Sequence, residues 1–464
     1  MNITIHNDTT ILANVDENLR DALRKELSFV DKSKQYQLKR LSKSVWGKNS
    51  PQAAKLKTEI HQCLLSENPN GTLSFPSGLS GSFPDILSGF SINDQRYETG
   101  TKIALPWAEK PNTMRDYQDE AHTLMVDNWR GLINFATGLG KTLTATYAIR
   151  SIGRNTLIVC PNKSIAEQFY GILVKSFGKH RVGFFGDGRH SIKDLTVGIA
   201  PSVMNHIAEF KKADLGFLLF DEVHHIAADT FFTIANELGT VGRVFGLTAT
   251  DFRNDGKDLL ITAGCGPTLI RRDAKWGIEH GWLAKPYFLV REVLTLGKNY
   301  KDDKLKNYKA HVLNSAEMKT QIESDIRKFI QSGKRTLILV DEVAHGQELA
   351  TNLNIAFATG EDKNSQSYID AFNDKKIMGL VATDGKVGEG VDTRPVEVLV
   401  IANFVASKGA VLQAIGRGLR KIDGKETVII LDYVPMGSDM LKRHAYQRVE
   451  YYQELTDKVK VIEC

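Results

Sequence analysis

The run ATGLGKT at residues 136–142 decides the fold. It follows GLINF (131–135), an apolar stretch of strand length, and leads into TLTATYAIR (142–150), which reads as a helix. A strand that passes through a glycine turn into a helix aims successive backbone amides at an anion on the helix N-terminus. Gly138 and Gly140 let the backbone curl, and Thr137 and Leu139 line the same turn. Lys141 is then set to reach β and γ phosphates, and the Thr142 hydroxyl to hold Mg²⁺. The general pattern GxxxxGK[ST] is met except that Phe135 stands at its first glycine.

Downstream, GFLLF (216–220) is short and wholly apolar, which suits a central parallel strand ending at Asp221. A carboxylate at that end is placed to hold Mg²⁺, and Glu222 beside it to orient and deprotonate water. By itself a DE pair is more often a solvated helix start; the phosphate loop upstream reverses that reading. His224 and His225 are adjacent and no HExxH occurs, so no zinc is expected.

A third run, QAIGRGLR (413–420), contains Gln413, Arg417 and Arg420. Phosphoryl transfer spreads charge over the γ phosphate, and an arginine brought from outside the loop adds about 10³- to 10⁵-fold in rate. The three-residue spacing of Arg417 and Arg420 predicts one helical face. Between these runs, TLIVC (156–160), TVGIA (196–200), FLLF (217–220) and VFGLTAT (244–250) alternate with helical segments, and TLILV (336–340), GLVAT (379–383), EVLVIAN (397–403) and TVIILD (427–432) repeat the pattern. That alternation predicts two doubly wound parallel sheets.

With these motifs in this order, residues 114–433 resemble superfamily 2 helicases. The resemblance implies an α/β fold with two tandem RecA-like doubly wound parallel-sheet domains and a small α+β N-terminal domain. The boundaries expected are 1–110 for a nucleic-acid-binding domain, 111–283 for the ATP-binding motor domain and 284–464 for the second motor domain. MRDYQ (114–118) is similar to the adenine-reading segment, with Gln118 as the amide and Arg115 as a stacking plane. CPNKSIAEQF (160–169) and VGIAPS (197–202) match segments that touch the nucleic-acid backbone, which points to Asn162, Lys163, Pro201 and Ser202, although many relatives carry Thr at the last position. GLTAT (246–250) matches the coupling motif, so Thr248 and Thr250, with His224, are expected to link the two sites. VATDGKVGEGVD (381–392) matches the fifth motif, with Thr383 at nucleic-acid phosphate and Gly390 and Asp392 near the nucleotide. Within the superfamily the chain resembles phage UvsW-type branch-migration helicases, and more distantly XPB-like and RecG-like motors. The features are FPSGL (75–79), GPTLI (266–270), a short second motor domain and VDEVAHGQELA (340–350). That likeness implies ATP and Mg²⁺ as cofactors, branched DNA as substrate, and travel 3′ to 5′.

Composition agrees. The 464 residues and 42% hydrophobic content suffice for several cores. Four cysteines without CxxC spacing read as reduced thiols, and no stretch approaches a membrane span or a secretory signal, so a cytoplasmic, monomeric motor is expected. A net charge of +5 is slight, so phosphate contact must come from local patches. Lys32 to Lys57 holds eight basic and no acidic residues, with Tyr36 and Trp46 interleaved. A solvated face is the bland account; on a motor, Lys39, Arg40, Lys43 and Trp46 are candidate DNA contacts. GKNYKDDKLKNYK (297–309) reads as an exposed excursion, and 68–85 as loops or a hairpin. Motor motifs meet mainly the sugar-phosphate backbone, so an RNA helicase stays open, as does the motor subunit of a restriction system or a binding module without unwinding.

Overall fold

The computed structural model describes the chain apart from residues 1, 43–47, 86, 88, 227, 250–256, 302, 361, 384–395, 404–407 and 422–423. Its described residues form two compact units, Met1–Phe135 with Gly140–Arg271 and Ala136–Leu139 with Arg272–Cys464.

The main sheet of the first unit has eight strands in the order Arg189–His190, Val182–Gly186, Leu195–Ile199, Thr156–Cys160, Phe217–Phe220, Arg243–Thr248, Arg130–Phe135 and Thr268–Arg272. From Val182–Gly186 across to Arg130–Phe135 every pairing is parallel. Covered on both faces, these strands are apolar runs without alternation, which is why TLIVC and FLLF read as strands in the sequence. Leu157, Ile158 and Val159 are fully buried, each worth about 1.5–3 kcal/mol relative to exposure.

The N-terminal residues build a separate five-stranded sheet in the order Ser66–Glu67, Leu73–Pro76, Thr9–Ala13, Asn2–Ile5 and Ser91–Asp94. The segment read as loops or a hairpin does enter a hairpin, in which Ser66–Glu67 pairs antiparallel with Leu73–Pro76, and continues into a buried turn, Ser77–Leu79. Leu73 and Phe75 alternate into the core, a signal that the surrounding glycines and prolines mask. Gly78 of that turn lies on the helix Asp258–Cys265, where a Cβ would stand 2.3 Å from the Thr262 carbonyl oxygen and 2.4 Å from that of Ala263. A second tie is ionic: the Lys257 ammonium, 2.9 Å from Asp31 and 2.8 Å from Asp229, is buried with Asp31. Asp31 also caps the helix Lys32–Leu41 through the amides of Ser33 and Lys34.

The second unit is a seven-stranded, all-parallel sheet in the order Ala356–Ala358, Gly379–Thr383, Thr336–Val340, Val398–Ile401, Thr427–Pro435, Lys285–Val293 and Val459–Ile462. The C-terminal helix Asp439–Leu455 buries Leu441, Ala445, Val449 and Tyr452 along one face. It also buries Arg448, whose guanidinium meets Asp432 at 2.8 Å twice while Tyr452 donates to the same carboxylate at 2.6 Å. The segment at 297–309 is not simply exposed, because Asn307 and Tyr308 are buried.

Of the cysteines, Cys160 and Cys265 are buried and Cys63 and Cys464 exposed. Burial pushes both interior thiols well up in pKa. No helix among the described residues is long and apolar enough to cross a membrane.

Gly78→Ala forces a methyl into helix backbone that cannot swing aside. A loss of about 1–3 kcal/mol is expected, read by calorimetry as a transition several degrees lower. Unchanged melting would show that the turn and the helix move apart freely.

Candidate nucleotide and nucleic-acid site

Parallel strands share one direction, so their carboxyl ends share one edge, where ligands of open α/β sheets bind. On the first unit that edge collects the ends of Arg130–Phe135, Phe217–Phe220 and Arg243–Thr248. The loop after Phe135 turns with Gly138 at φ 91° and Gly140 at φ 83°, conformations only glycine adopts readily, and then enters the helix Lys141–Ile152. The Lys141 ammonium is buried, donates to the Phe135 carbonyl at 3.1 Å and lies 3.2 Å from Glu222 Oε1. Thr142 is half-buried in the first helical turn. Gln118 is buried against the loop, its Nε2 being 2.3 Å from where a Gly140 Cβ would be. Its Oε1 accepts the Arg115 amide at 2.9 Å, while the Arg115 guanidinium donates to the Tyr117 hydroxyl at 3.0 Å.

Asp221 follows the strand end, its amide on the Val159 carbonyl at 2.9 Å and one carboxylate oxygen accepting the Glu222 amide at 3.0 Å. Burial pushes the Asp221 carboxyl up, and the charge of Glu222 pushes the same way. For Glu222 burial works in that direction too, but Lys141, followed by His224 and His225, holds its carboxyl below the ordinary range. A buried carboxyl and a half-buried one beside a single ammonium leave charge for a further cation. Glu222 Oε2 has no hydrogen-bond partner among the described residues. Glu222 itself is held at φ 44°, a left-handed conformation uncommon for a side-chain-bearing residue and enriched at functional sites. His224 Nδ1 meets the Thr248 hydroxyl at 2.9 Å, so two of the expected coupling residues touch. These groups fit a nucleotide triphosphate with a divalent cation.

The backbone-contact candidates fare differently. Asn162 caps the helix Lys163–Phe177 by accepting the Ile165 amide at 3.1 Å, and Lys163 pairs with Asp187 at 2.6 Å. Pro201 is exposed and Ser202 half-buried in the helix Ala200–Asn205, whereas Thr383 is buried at the end of its strand. Lys39 and Arg40 are exposed on Lys32–Leu41, a helix with no buried residue. Lys43, Trp46, Thr250, Gly390 and Asp392 lie outside the described residues.

In the second unit, Gln413 and Arg417 sit on the helix Lys408–Leu419, with Arg417 buried. Arg420 does not share their helical face. The helix ends at Leu419, and Arg420 forms an isolated antiparallel bridge with Leu283. The ammonium of Lys425, unremarked in the sequence, holds this end by donating to the carbonyls of Gly418 at 2.5 Å and Arg420 at 3.0 Å. A cation there also complements the helix dipole.

Comparison with known proteins enters at this geometry. Residues 112–253 match the family described as Type III restriction enzyme, res subunit. A DNA 3'-5' helicase XPB of Kineococcus radiotolerans is 27% identical over 378 residues, covering 76% of this chain and 65% of that protein. Over these residues the chain is similar to proteins named as DNA helicases. Dbp5 of S. cerevisiae bound to RNA and ADP BeF3 has the same fold, at 13% identity and a TM-score of 0.54 over 76% of this chain and 90% of that one. The crystal structure of T4 UvsW aligns over 100% of this chain and 99% of that one, with 17% identity and a TM-score of 0.45. The chain spans 58%, 56% and 65% of three curated relatives it matches.

Burial, then the charge of Arg420, brings the Lys425 pKa down to about 8, against about 10.4 in an unfolded chain. Between these values the unfolded state binds the extra proton, so stability rises with pH through this window. The difference in urea midpoint between the parent and Lys425→Met is expected to grow in the parent's favour from pH 8 to pH 10; a constant difference would show that Lys425 titrates normally.

Proposed function

We propose that this chain is an ATP-driven DNA translocase that remodels branched DNA, such as forks and four-way junctions, moving 3′ to 5′ as a monomer. The observation that carries the chemistry is the pair of buried Lys141 and half-buried Glu222, 3.2 Å apart, at the mouth of the glycine turn and beside Asp221. In this reading the turn amides and Lys141 bind the β and γ phosphates, and Thr142 and Asp221 hold Mg²⁺, which when bound neutralises phosphate charge. Glu222 orients water and takes its proton; Gln118 and Arg115 read the base. Arg417 and Arg420, with Gln413, complete the charge around the γ phosphate, and Gly390 and Asp392 approach the nucleotide. His224, Thr248 and Thr250 relay its state to backbone contacts at Asn162, Lys163, Pro201, Ser202 and Thr383.

DNA is supported as the track by the name of the Kineococcus relative, a DNA 3'-5' helicase. Branch preference is assigned to residues 1–110, ahead of motor domains at 111–283 and 284–464. There an exposed basic helix bears Lys39 and Arg40 while its cap, Asp31, is buried. A second reading, the motor of a restriction system, is favoured by the family match at residues 112–253. ATP hydrolysis measured with single-stranded DNA, duplex, four-way junction and RNA side by side separates the readings. Strongest stimulation by the junction supports branch remodelling, equal stimulation by plain duplex the restriction motor, and by RNA alone an RNA helicase.

Lys141→Ala is expected to abolish turnover, while Glu222→Gln binds ATP and DNA yet hydrolyses very slowly. Rapid hydrolysis by the glutamine variant removes Glu222 from the chemistry.

Changing Lys39, Arg40 and Lys43 together to Ala is expected to weaken junction binding tenfold or more and to flatten its salt dependence by about one unit for each phosphate no longer neutralised. Basal ATPase should be spared. Parent-like junction binding would reduce the basic run to a solvated face.

A further inference from the structure

Three leucines stay exposed among the described residues of the whole chain, and all fall within twelve positions: Leu294, Leu296 and Leu305, at 59%, 78% and 57%. Single exposed apolar residues mean little, but a cluster marks a contact surface. Leu294 and Leu296 flank Thr295, which is 3% exposed, so the extended chain leaving the strand Lys285–Val293 turns both leucines outward and the threonine inward. Leu305 stands on the outer side of the short helix Lys304–Tyr308, whose Asn307 and Tyr308 face the interior.

This excursion is held in shape. Thr295 Oγ1 and His311 Nδ1 are 2.8 Å apart, and the same hydroxyl accepts the Gly437 amide at 3.3 Å. Asn299 donates to the Gly437 carbonyl at 2.7 Å. The buried Asn307 side chain accepts the Tyr300 amide at 2.9 Å and donates to the Tyr300 and Asp303 carbonyls at 2.5 and 3.0 Å. A loop that spends buried polar bonds on its own fixity while keeping three leucines in water is shaped for an outside contact.

The chemistry around it says which contact. Lys298, Lys301, Lys304, Lys306 and Lys309 accompany Asp302 and Asp303 alone in that stretch. The ammonium groups of Lys298 and Lys306 lie 5.7 and 5.8 Å from the centre of the Tyr300 ring. A surface with lysines around aliphatic and aromatic side chains suits a polyanion with apolar faces, which is a nucleic acid with unpaired bases. Its place agrees: it leaves the carboxyl end of Lys285–Val293, on the edge shared with Val340 and Thr383, and Val343 on that edge is also 50% exposed.

We propose that residues 294–301 and 303–309 form a strand-separation surface of the second unit, in which Lys298, Lys301 and Lys304 hold phosphates of a DNA fork and Leu294, Leu296 and Leu305 abut the bases it parts. This rests on the DNA-motor reading above. None of these residues belongs to the nucleotide site.

The test uses the full chain and a labelled DNA fork, with three variants. Lys298→Ala/Lys301→Ala/Lys304→Ala is expected to weaken fork binding about tenfold and to lower the salt slope by about three units, with basal ATPase unchanged. Leu296→Ser/Leu305→Ser should bind the fork like the parent, hydrolyse ATP normally and separate strands at least fivefold more slowly. Leu296→p-benzoylphenylalanine should photocrosslink to the fork at the branch, a readout that does not depend on a loss of activity. Parent-like binding and salt slope in the lysine variant, normal strand separation in the leucine variant, or crosslinks only within or between protein chains would each overturn the proposal. If the parent itself ignores DNA, the motor reading fails along with it.

Discussion

The guanidinium of Arg130 binds the first unit together. Arg130 opens the strand that ends at the glycine turn, and it is buried. It donates to the Asn7 carbonyl from the N-terminal sheet, to Gly264 at 2.6 Å and to Gly239 at 2.8 Å. Burial draws its pKa down to about 10, which still leaves it charged at neutral pH. A buried cation satisfied only by carbonyls tolerates little displacement, because each acceptor that moves away leaves charge unsolvated. The strand feeding the glycine turn and the sheet at the N-terminus are therefore one piece. Asn7 adds to the joint through its side chain, which donates to the carbonyls of Tyr97 at 3.1 Å and Thr240 at 3.0 Å.

The same piece contains a route from the Glu222 and His224 cluster to the basic helix. Thr248, on His224, ends the strand of the coupling motif, and the helix Asp258–Cys265 follows in the chain. That helix receives the Gly78 turn on its backbone, and Lys257 at its N-cap grips the aspartate that caps Lys32–Leu41. The basic helix is thus held in register with the Thr248 strand end through packing and one buried ion pair.

Legibility in the sequence followed local chemistry. The central strands were readable because parallel strands buried on both faces are written as unbroken apolar runs, and the turn was readable because Gly138 and Gly140 adopt backbone that other residues resist. Strands with mixed composition, such as Lys285–Val293, went unseen, and Leu73–Pro76 was legible only as one arm of a possible hairpin within its glycine-rich surroundings. Of the site, Lys141, Asp221, Glu222, His224 and Thr248 announced themselves by motif, and the fold brings them together at one sheet edge. Arg130, Lys257 and Lys425 could not be found this way. Arg130 and Lys257 meet carbonyls or carboxylates far away in sequence, and the carbonyls that Lys425 meets leave no mark in side-chain type, so no motif encodes these contacts. Spacing also misled at Arg420, since a helix that stops at Leu419 cannot carry its periodicity one residue further.

The distribution of cysteines gives the protein a built-in pair of handles. Thiolates are the reactive form, and the two interior thiols, Cys160 and Cys265, are both shielded and disfavoured from ionising. Cys63 and Cys464 remain open to solvent, one in each compact unit. Maleimide dyes added to the unaltered chain therefore attach at one point per unit, and energy transfer between them records the separation of the units through a working cycle.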